Sequence, residues 1–346
     1  MEGAELFTFI IDASVALALT SIAALLMLFV RRVIIMRIDR ANAQRRRELQ
    51  DMVYGALDDP GKLSPRPLSA RDQRLLLAVV SEMLRAVDGE MRDQLKDILA
   101  RHIRLDRLLY GLKHGLPVDR AKIAARLFWS AAPEVHDALR AALDDPEPEV
   151  VLAAAGALMA AGQRIDLQTL TPKLEARRML GNRAVRDLFR KLAPDNGAAL
   201  FAFLDDPNPA VVVLAIDALA RAPSAPALKR LRAAAQTHPS VDVRAAAVRS
   251  LGNAQDHNAV GVVTAALSDA AWEVRAQAAI AAGRIGDAAA LTQLAKLVHD
   301  ANWWVRLRAA QALTRLGPDG IAALQAVSGD GEAGRLVEFV LSERGA

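Results

Sequence analysis

The 346-residue chain contains no cysteine. A disulfide framework and thiolate chemistry are therefore excluded, and a reducing compartment fits. Aromatic side chains are scarce, with two Tyr, four Trp and eight Phe. Runs of β-branched residues are few while Ala and Leu abound, so the composition reads as all-α. Six histidines (His102, His114, His136, His238, His257 and His299) never fall at His-x-x-x-His or His-Glu-x-x-His spacing, which excludes the common helical zinc sites. No Gly-x-Ser-x-Gly elbow or dinucleotide fingerprint occurs. Gly61-Lys62 superficially suggests a phosphate loop, but Leu63 stands where Ser or Thr would hold magnesium and no strand precedes it. The chain reads as a binding protein and not as an enzyme, and neither cofactor nor metal is expected.

A basic excess is also absent from most of the chain. Residues 1–47 hold seven of the 44 Lys and Arg (Arg31, Arg32, Arg37, Arg40, Arg45, Arg46, Arg47) and four of the 40 acids, leaving 37 basic and 36 acidic residues for the remainder. A near-neutral body with one short basic segment points to a membrane surface, not to nucleic acid. The segment Arg31–Arg47 is accordingly expected to meet anionic lipid headgroups.

From Leu6 to Val30 the only charge is Asp12. A helix of 25 residues rises about 37 Å, enough to cross a hydrocarbon core of roughly 30 Å with some tilt. Met1–Glu5 has no Lys or Arg, unlike the basic start of a cleaved signal peptide, so a retained anchor is expected. The arginines that follow place the N-terminus outside and the rest of the chain in the cytoplasm, in a plasma (inner) membrane. Asp12, Ala16, Thr20 and Ala24 recur every four residues as one small or polar stripe. Either that stripe packs against a partner helix, or Asp12 simply lies near the outer interface. A Pro-rich stretch follows at 57–69, after which Ser69 reads as an N-cap and helices are expected over about 70–84, Gly89–His102 and Leu105–Lys113.

The second half repeats itself. A Val, usually followed by Arg and an Ala-rich run, recurs at Val150, Val211, Val243, Val274 and Val305, with a poorer copy near Val185. A period near 31 residues means stacked two-helix units, which usually bind macromolecules. Before each Val stands a short loop: Leu143-Asp-Asp-Pro-Glu-Pro, Leu204-Asp-Asp-Pro-Asn-Pro, His238-Pro-Ser, Leu267-Ser-Asp-Ala-Ala-Trp and Val298-His-Asp-Ala-Asn-Trp. Asp145, Asp206, Asp269 and Asp300 are expected to cap the helix that follows, with Pro146 and Pro207 at its first position. Capping thus accounts for the Asp144/Asp145 and Asp205/Asp206 pairs without a catalytic or calcium site.

This pattern resembles HEAT repeats over about 116–346, particularly the short bacterial type of phycobilin lyase-like proteins. The resemblance implies a curved solenoid with the Val-Arg helix on its concave side and, from the capping Asp and the Arg, ladders between repeats. The matching residues are Asp269 with Arg275 and Asp300 with Arg306. Arg244 has His238 at the Asp position, Val151 and Val212 replace the Arg in two repeats, and the units at Val118 and Val185 fit poorly. The layout is similar to bacterial single-pass proteins with cytoplasmic HEAT repeats, some of which accompany membrane glycosyltransferases of exopolysaccharide systems. Four regions follow: a transmembrane anchor (1–30), a basic juxtamembrane helix with a Pro-rich linker (31–70), a helical cap (71–115) and the solenoid (116–346).

The function so implied is a membrane-anchored scaffold or adaptor for a protein partner, itself membrane-associated. The alternative implied by the repeat type is a lyase-like protein acting on a tetrapyrrole or related cofactor. Trp272 and Trp303 occupy the same place in adjacent repeats, beside Trp304, and either anchor an interface or fill the seam between repeats. Trp304, followed by the inward Val305, is expected to be the less exposed. Arg221, Arg284 and Arg315 lie ten residues after their frame Val and, with Arg249 and Arg308, form either a basic patch or a merely solvated face. The candidate partner-binding residues are therefore Trp272, Trp303, Trp304, Arg249, Arg275, Arg284, Arg306, Arg308 and Arg315.

Overall fold

A computed structural model describes residues 2–58, 68–220, 223–327 and 331–345; side chains are not described for 1–16, 18, 38 and 343–346. Every regular element among the described residues is helical. The chain divides into two compact units, one of residues 1–115 and 126–135, the other of 116–125 and 136–346.

In the first unit, α1 (Glu2–Asp58) is a single unbroken helix of 57 residues, about 85 Å long. Its two ends have different surroundings. Over residues 19–36 the apolar side chains Leu19, Ile22, Leu25, Phe29, Ile34 and Met36 are exposed on every side. Further on, Leu49, Val53 and Ala56 recur at helical spacing and are buried against α2 (Ala70–Met83) and α3 (Glu90–His102). Ser69 caps α2 as its sequence implies, its hydroxyl accepting from the Asp72 amide at 3.1 Å. α4 (Leu105–His114) follows, and Leu127, Phe128 and Trp129 complete this unit's core, with the Arg85 guanidinium 5.6 Å over the Phe128 ring.

Polar contacts fasten α1 to α2. Arg45 donates to both carboxylate oxygens of Asp72 at 2.9 and 3.2 Å and to Glu48 at 2.7 Å. Arg46 pairs with Glu82, and Arg71 donates through Nε and Nη2 to the Asn42 side-chain Oδ1. The sequence assigned Arg45 and Arg46 to lipid headgroups; the structure gives them to α2 instead, because α1 continues as a helix into the packed unit. Arg31, Arg32, Arg37, Arg40 and Arg47 remain exposed.

The second unit is two layers of helices. α5 (Pro117–Ala124), α7 (Pro148–Ala160), α9 (Arg183–Leu192), α11 (Pro209–Leu219), α13 (Val241–Asn253), α15 (Trp272–Ile285), α17 (Trp303–Arg315) and α19 (Glu332–Gly345) pack side by side in chain order. We refer to them as the inner row. The opposite layer holds α8 (Leu167–Ala176), α10 (Gly197–Ala202), α12 (Ala225–Thr237), α14 (Val260–Ala266), α16 (Leu291–Leu297) and α18 (Pro318–Ala326); α6 (Pro133–Ala141) precedes α7 in the chain. Every frame Val, Val185 included, is the third residue of its inner helix and is buried. The copy at Val185 is thus in full register.

Small residues set the closeness of the row. A Cβ built on Gly252 would lie 2.6 Å from Ala281 Cβ and 2.7 Å from its Cα, and one on Gly283 would lie 3.0 Å from Ala312 Cα. These two glycines are required by the approach of α15 to α13 and of α17 to α15.

The loops before the inner helices share one turn, displaced from the expected caps. Asp145, Asp206, Asp269 and Asp300 accept not from the first helical turn but from the amide two residues on, that of Glu147, Asn208, Ala271 and Asn302, at 2.8–2.9 Å. The helices then start at Pro148, Pro209, Trp272 and Trp303, so Pro148 and Pro209, not Pro146 and Pro207, hold the first position. A proline biases the residue before it toward extended backbone, which moves the start past the first proline to the second. His238 forms the same turn, its Nδ1 accepting from the Ser240 amide at 3.1 Å. The loops leading into the opposite layer repeat the device: Asp256 and Asp287 accept from amides two residues on, and Arg232 and Thr264 of the preceding helices reach the same two carboxylates.

Candidate partner-binding face

The first turns of the last inner helices carry the aromatic edge. Trp272, Trp303 and Trp304 are 38%, 47% and 49% exposed. Trp304 is therefore no less open than Trp303, contrary to the sequence expectation: it lies one residue before the inward Val305 and is turned along the edge. The Trp303 and Trp304 rings meet edge to face at 4.8 Å, and the Arg308 guanidinium lies 5.9 Å over the Trp304 ring while donating to Gln311. These three candidate residues form one cluster on α17.

Arg275 and Arg306 are placed otherwise. Arg275 donates through Nε and Nη2 to both carboxylate oxygens of Asp300 at 2.8 and 3.0 Å, and through Nη1 to the carbonyls of Asp269 and Ala270. Arg244 makes the same set with Asp269, His238 and Pro239. Arg306 donates to the carbonyls of Asp300 and Ala301 and to Glu332. Each arginine thus holds the loop of its own repeat by the backbone and the loop of the next by a carboxylate. The ladder between repeats is therefore present, each Arg reaching the Asp of the following repeat. Within a repeat the Asp carboxylate is turned into its own loop, and only its backbone carbonyl faces that Arg.

Sequence reasoning missed the first rung. Arg120, fourth residue of α5, forks onto Asp145 at 2.8 Å twice. Its helix carries Asp119 in the frame position, so only the Arg-to-Asp spacing of 25 residues, shared with the other rungs, pointed to it. Where Val151 replaces the Arg, Arg177 of the next repeat donates to the carbonyls of Asp144 and Asp145 in its stead.

Beside the ladder the inner row encloses a second group that sequence reasoning did not name. Asp217 lies in the otherwise apolar α11 and is 6% exposed at its side chain. Arg249 of α13 donates to its Oδ1 at 2.6 Å, and Arg186 of α9 stands 3.3 Å from its Oδ2 without a hydrogen bond. An acid in the run Pro-Ala-Val-Val-Val-Leu-Ala-Ile-Asp-Ala-Leu was the available signal, since a buried carboxylate requires a partner.

Two hollows adjoin this triad, and a third meets the second of them at Arg190. A groove of about 490 Å³ has Ala210, Ala245, Ala246 and Ala276 among its floor residues and Trp272, Glu273, Asp242, Arg186 and Arg249 on its walls. A second, about 550 Å³, is lined by Asp187, Arg190, Lys191, Asp217, Ala220, Arg249 and Asn253. A third, about 730 Å³, is mostly apolar, with Phe201, Leu219, Pro194 and Pro226 beside Arg190. Alanine keeps the floor low, and the larger neighbours stand as walls. Among the candidate residues, Trp272 and Arg249 share the first groove; Arg284 donates to Asn253 at the second. Arg315 is exposed at the end of α17.

In the first unit, Thr20 satisfies its hydroxyl within α1, donating to the Leu17 carbonyl at 2.9 Å. The side chains of Asp12 and Ala16, the residue Arg221 and the linker core 59–67 lie outside the described residues. Among the described residues no cluster of three or more His, Asp or Glu could hold a metal ion.

A family model described as HEAT repeats matches residues 173–252, 197–267, 228–314 and 260–336. Residues 173–336 are HEAT repeats. The HEAT segment so defined runs from α8 into α19, and the same frame continues structurally back to α7, with the Arg120 rung on α5. No curated protein sequence matches the chain. Among solved structures, the chain is similar to Kap121p, at 13% identity and a TM-score of 0.44, covering 80% of this chain and 37% of that one. It is similar to YibA of Escherichia coli at 19% identity and 0.40, covering 74% and 99%, and to human deoxyhypusine hydroxylase at 20% and 0.30, covering 87% and 97%. The chain thus spans about a third of the length of Kap121p.

Proposed function

We propose that the chain is a membrane-anchored scaffold whose HEAT repeats hold a protein partner in the cytoplasm. The observation that carries the binding role is the aromatic edge: three half-exposed indoles at successive inner-helix starts, one of them walling a groove with an alanine floor. Exposed Trp next to Arg is the composition of interface hot spots, and HEAT stacks commonly serve protein interactions.

The anchor reading is supported by α1, the one helix among the described residues long and apolar enough to cross a membrane. Its apolar side chains find no cover over residues 19–36, where lipid would provide it. The arginines left exposed just beyond that stretch suit anionic headgroups and a cytoplasmic position for the repeats. Residues 1–30 then serve as anchor, 31–70 as juxtamembrane helix and linker, 71–115 as cap and 116–346 as solenoid. A tether raises the effective concentration of the repeats at the bilayer, so a partner in the same membrane, such as an integral membrane glycosyltransferase, would need only modest contacts.

Crosslinking in native membranes followed by detergent purification tests this. A membrane protein should be recovered with the intact chain, and Trp303→Ala with Trp304→Ala should lower its recovery at least tenfold. These two are chosen over Arg306, whose contacts belong to the ladder. Equal recovery from the double variant removes the edge as the interface.

A further inference from the structure

We infer that the solenoid carries a hinge between α11 and α13, clasped by Asp217, whose bending sets the width of the groove beside Trp272. The hinge itself stands apart from the binding role proposed above; only its use as a grip on a partner rests on that role.

The seam between α11 and α13 lacks what fastens the seams that follow it. On the inner row, Val212 stands where Arg244 and Arg275 send rungs forward, and His238 stands where Asp269 and Asp300 receive them. In the opposite layer, the buried Asn196, Asp256 and Asp287 stand at the entries to α10, α14 and α16. Each is bonded to the preceding repeat, through Leu167, Arg232 and Thr264. Before α12 the capping residue is Ser224, which accepts from the Ala227 amide of its own helix at 3.3 Å and, among the described residues, reaches no earlier repeat. Ala220 takes the place after α11 that Gly252 and Gly283 hold in α13 and α15. A Cβ at those glycines would come to 2.6 and 3.0 Å from the next helix, so α11 cannot close on α13 in the same way. The hollows of about 730 and 550 Å³ both open at this seam, the first between Leu219 and Pro226, the second between Asp217 and Asn253. Open volume on both layers leaves the two sides room to tilt.

Among the described residues, the ion pairs across this seam are Arg230 with Asp205, both exposed, and Arg249 with Asp217. An exposed pair holds little. Asp217 is buried, accepts from Arg249 at 2.6 Å and faces Arg186 of α9 at 3.3 Å. One carboxylate therefore bridges three successive inner helices where the ladder is interrupted. Bending that draws Arg249 away leaves a buried charge with only the poorly aligned Arg186 beside it, and this resists opening. The groove of about 490 Å³ spans the joint. Its lining comes from both sides, Leu180 and Arg186 before the joint, Trp272 and Glu273 after it. Rotation of α11 against α13 thus moves one wall relative to the other, and a segment that fills the groove favours one angle.

The test is double electron–electron resonance on the full chain in detergent micelles, with spin labels on thiols introduced in pairs. Gln168→Cys with Gln236→Cys, on α8 and α12, straddles the joint. Gln236→Cys with Thr292→Cys, on α12 and α16, spans as many repeats but only seams that carry rungs. All three side chains are exposed. The first pair should give a distance distribution roughly twice as broad as the second. Asp217→Ala and Arg249→Ala should each widen the first distribution by about half again and leave the second unchanged. Should Asp217→Ala fail to fold by circular dichroism, Arg249→Ala decides alone, since its side chain is partly exposed. Equal widths for the two pairs overturn the hinge, and an unchanged first pair in Arg249→Ala overturns the clasp. Partner recovery through the Trp edge is read separately, so equal widths leave the scaffold role standing and this inference alone falls.

Discussion

Arg275 reaches forward to Asp300, 25 residues ahead, and closes a two-pronged ion pair with it at 2.8 and 3.0 Å. The remaining guanidinium nitrogen grips the loop behind it. One side chain therefore couples three turns of the stack: its own helix start, the loop before it and the loop of the next repeat. Since each HEAT unit contacts only its neighbours, such rungs are where cooperativity along the solenoid is set.

Removing a rung should accordingly lower stability. The pair is only partly exposed, so Arg275→Ala is expected to cost about 2–3 kcal/mol, most of it from leaving the Asp300 carboxylate without its partner. Arg275→Lys should recover less than half, because an ammonium cannot fork onto a carboxylate while holding two carbonyls. Urea unfolding followed by circular dichroism measures both. A loss below about 0.5 kcal/mol for Arg275→Ala would show the rung to be ornamental.

Acid should loosen the same ladder. The Asp269 carboxyl is held below its ordinary value by the hydrogen bond from Arg244, which outweighs burial. For Asp300 and Asp145 burial pushes upward, but the forks from Arg275 and Arg120, with the loop amides, win and the net direction is again down. In the unfolded chain these groups protonate first as pH falls, so their stabilisation is complete above the ordinary carboxylate range near pH 4 and is lost as pH drops through it toward the folded values. The urea midpoint should fall slightly between pH 7 and 5, where burial holds the His102 imidazole below its ordinary value and the unfolded chain takes up that proton first, and fall steeply below pH 4. Asp300→Asn should start from a lower midpoint at pH 7 and show a shallower acid fall.

Much of this was readable in the amino acids, for a physical reason. Val150 and its successors must be buried, burial restricts residue type, and the restriction repeats. Proline, Ser69 and the loop acids mark boundaries because they act on backbone within two or three residues. What was not readable depends on which helix lies beside which. The rung from Arg120 and the enclosure of Asp217 are contacts across repeats, between side chains 25 to 32 residues apart in the chain. The assignment of Arg45 to lipid failed likewise, since its partner Asp72 lies 27 residues away on another helix.

Two helical glycines should respond in opposite senses to the same substitution. Alanine raises helix propensity over glycine by about 1 kcal/mol. At Gly156 in α7 a Cβ would meet nothing within 4 Å, so Gly156→Ala should stabilise by about 0.5–1 kcal/mol. At Gly252 the new carbon would lie 2.7 Å from the Ala281 backbone, forcing α13 and α15 apart, and overpacking of that kind costs about 1–3 kcal/mol. Gly252→Ala should therefore lower the melting temperature while Gly156→Ala raises it. Shifts of the same sign would mean that the inner row yields where it is expected to be rigid.

The lack of cysteine makes the orientation of α1 directly measurable, because a single introduced thiol is unique in the chain. Glu2→Cys places it before the apolar stretch, and Thr237→Cys places it at the exposed end of α12 in the repeats. With the arginines after the stretch held inside by the positive-inside rule, a membrane-impermeant maleimide added to intact cells should label the first variant and spare the second until the membrane is permeabilised. Labelling of the second in intact cells would put the repeats outside. They would then lie in an oxidising compartment, where a cysteine-free chain is equally at home, and the partner would have to be sought there. Labelling of neither before permeabilisation would mean that α1 does not expose its start, and the bare apolar side chains from Leu19 to Met36 would need cover from protein instead of lipid.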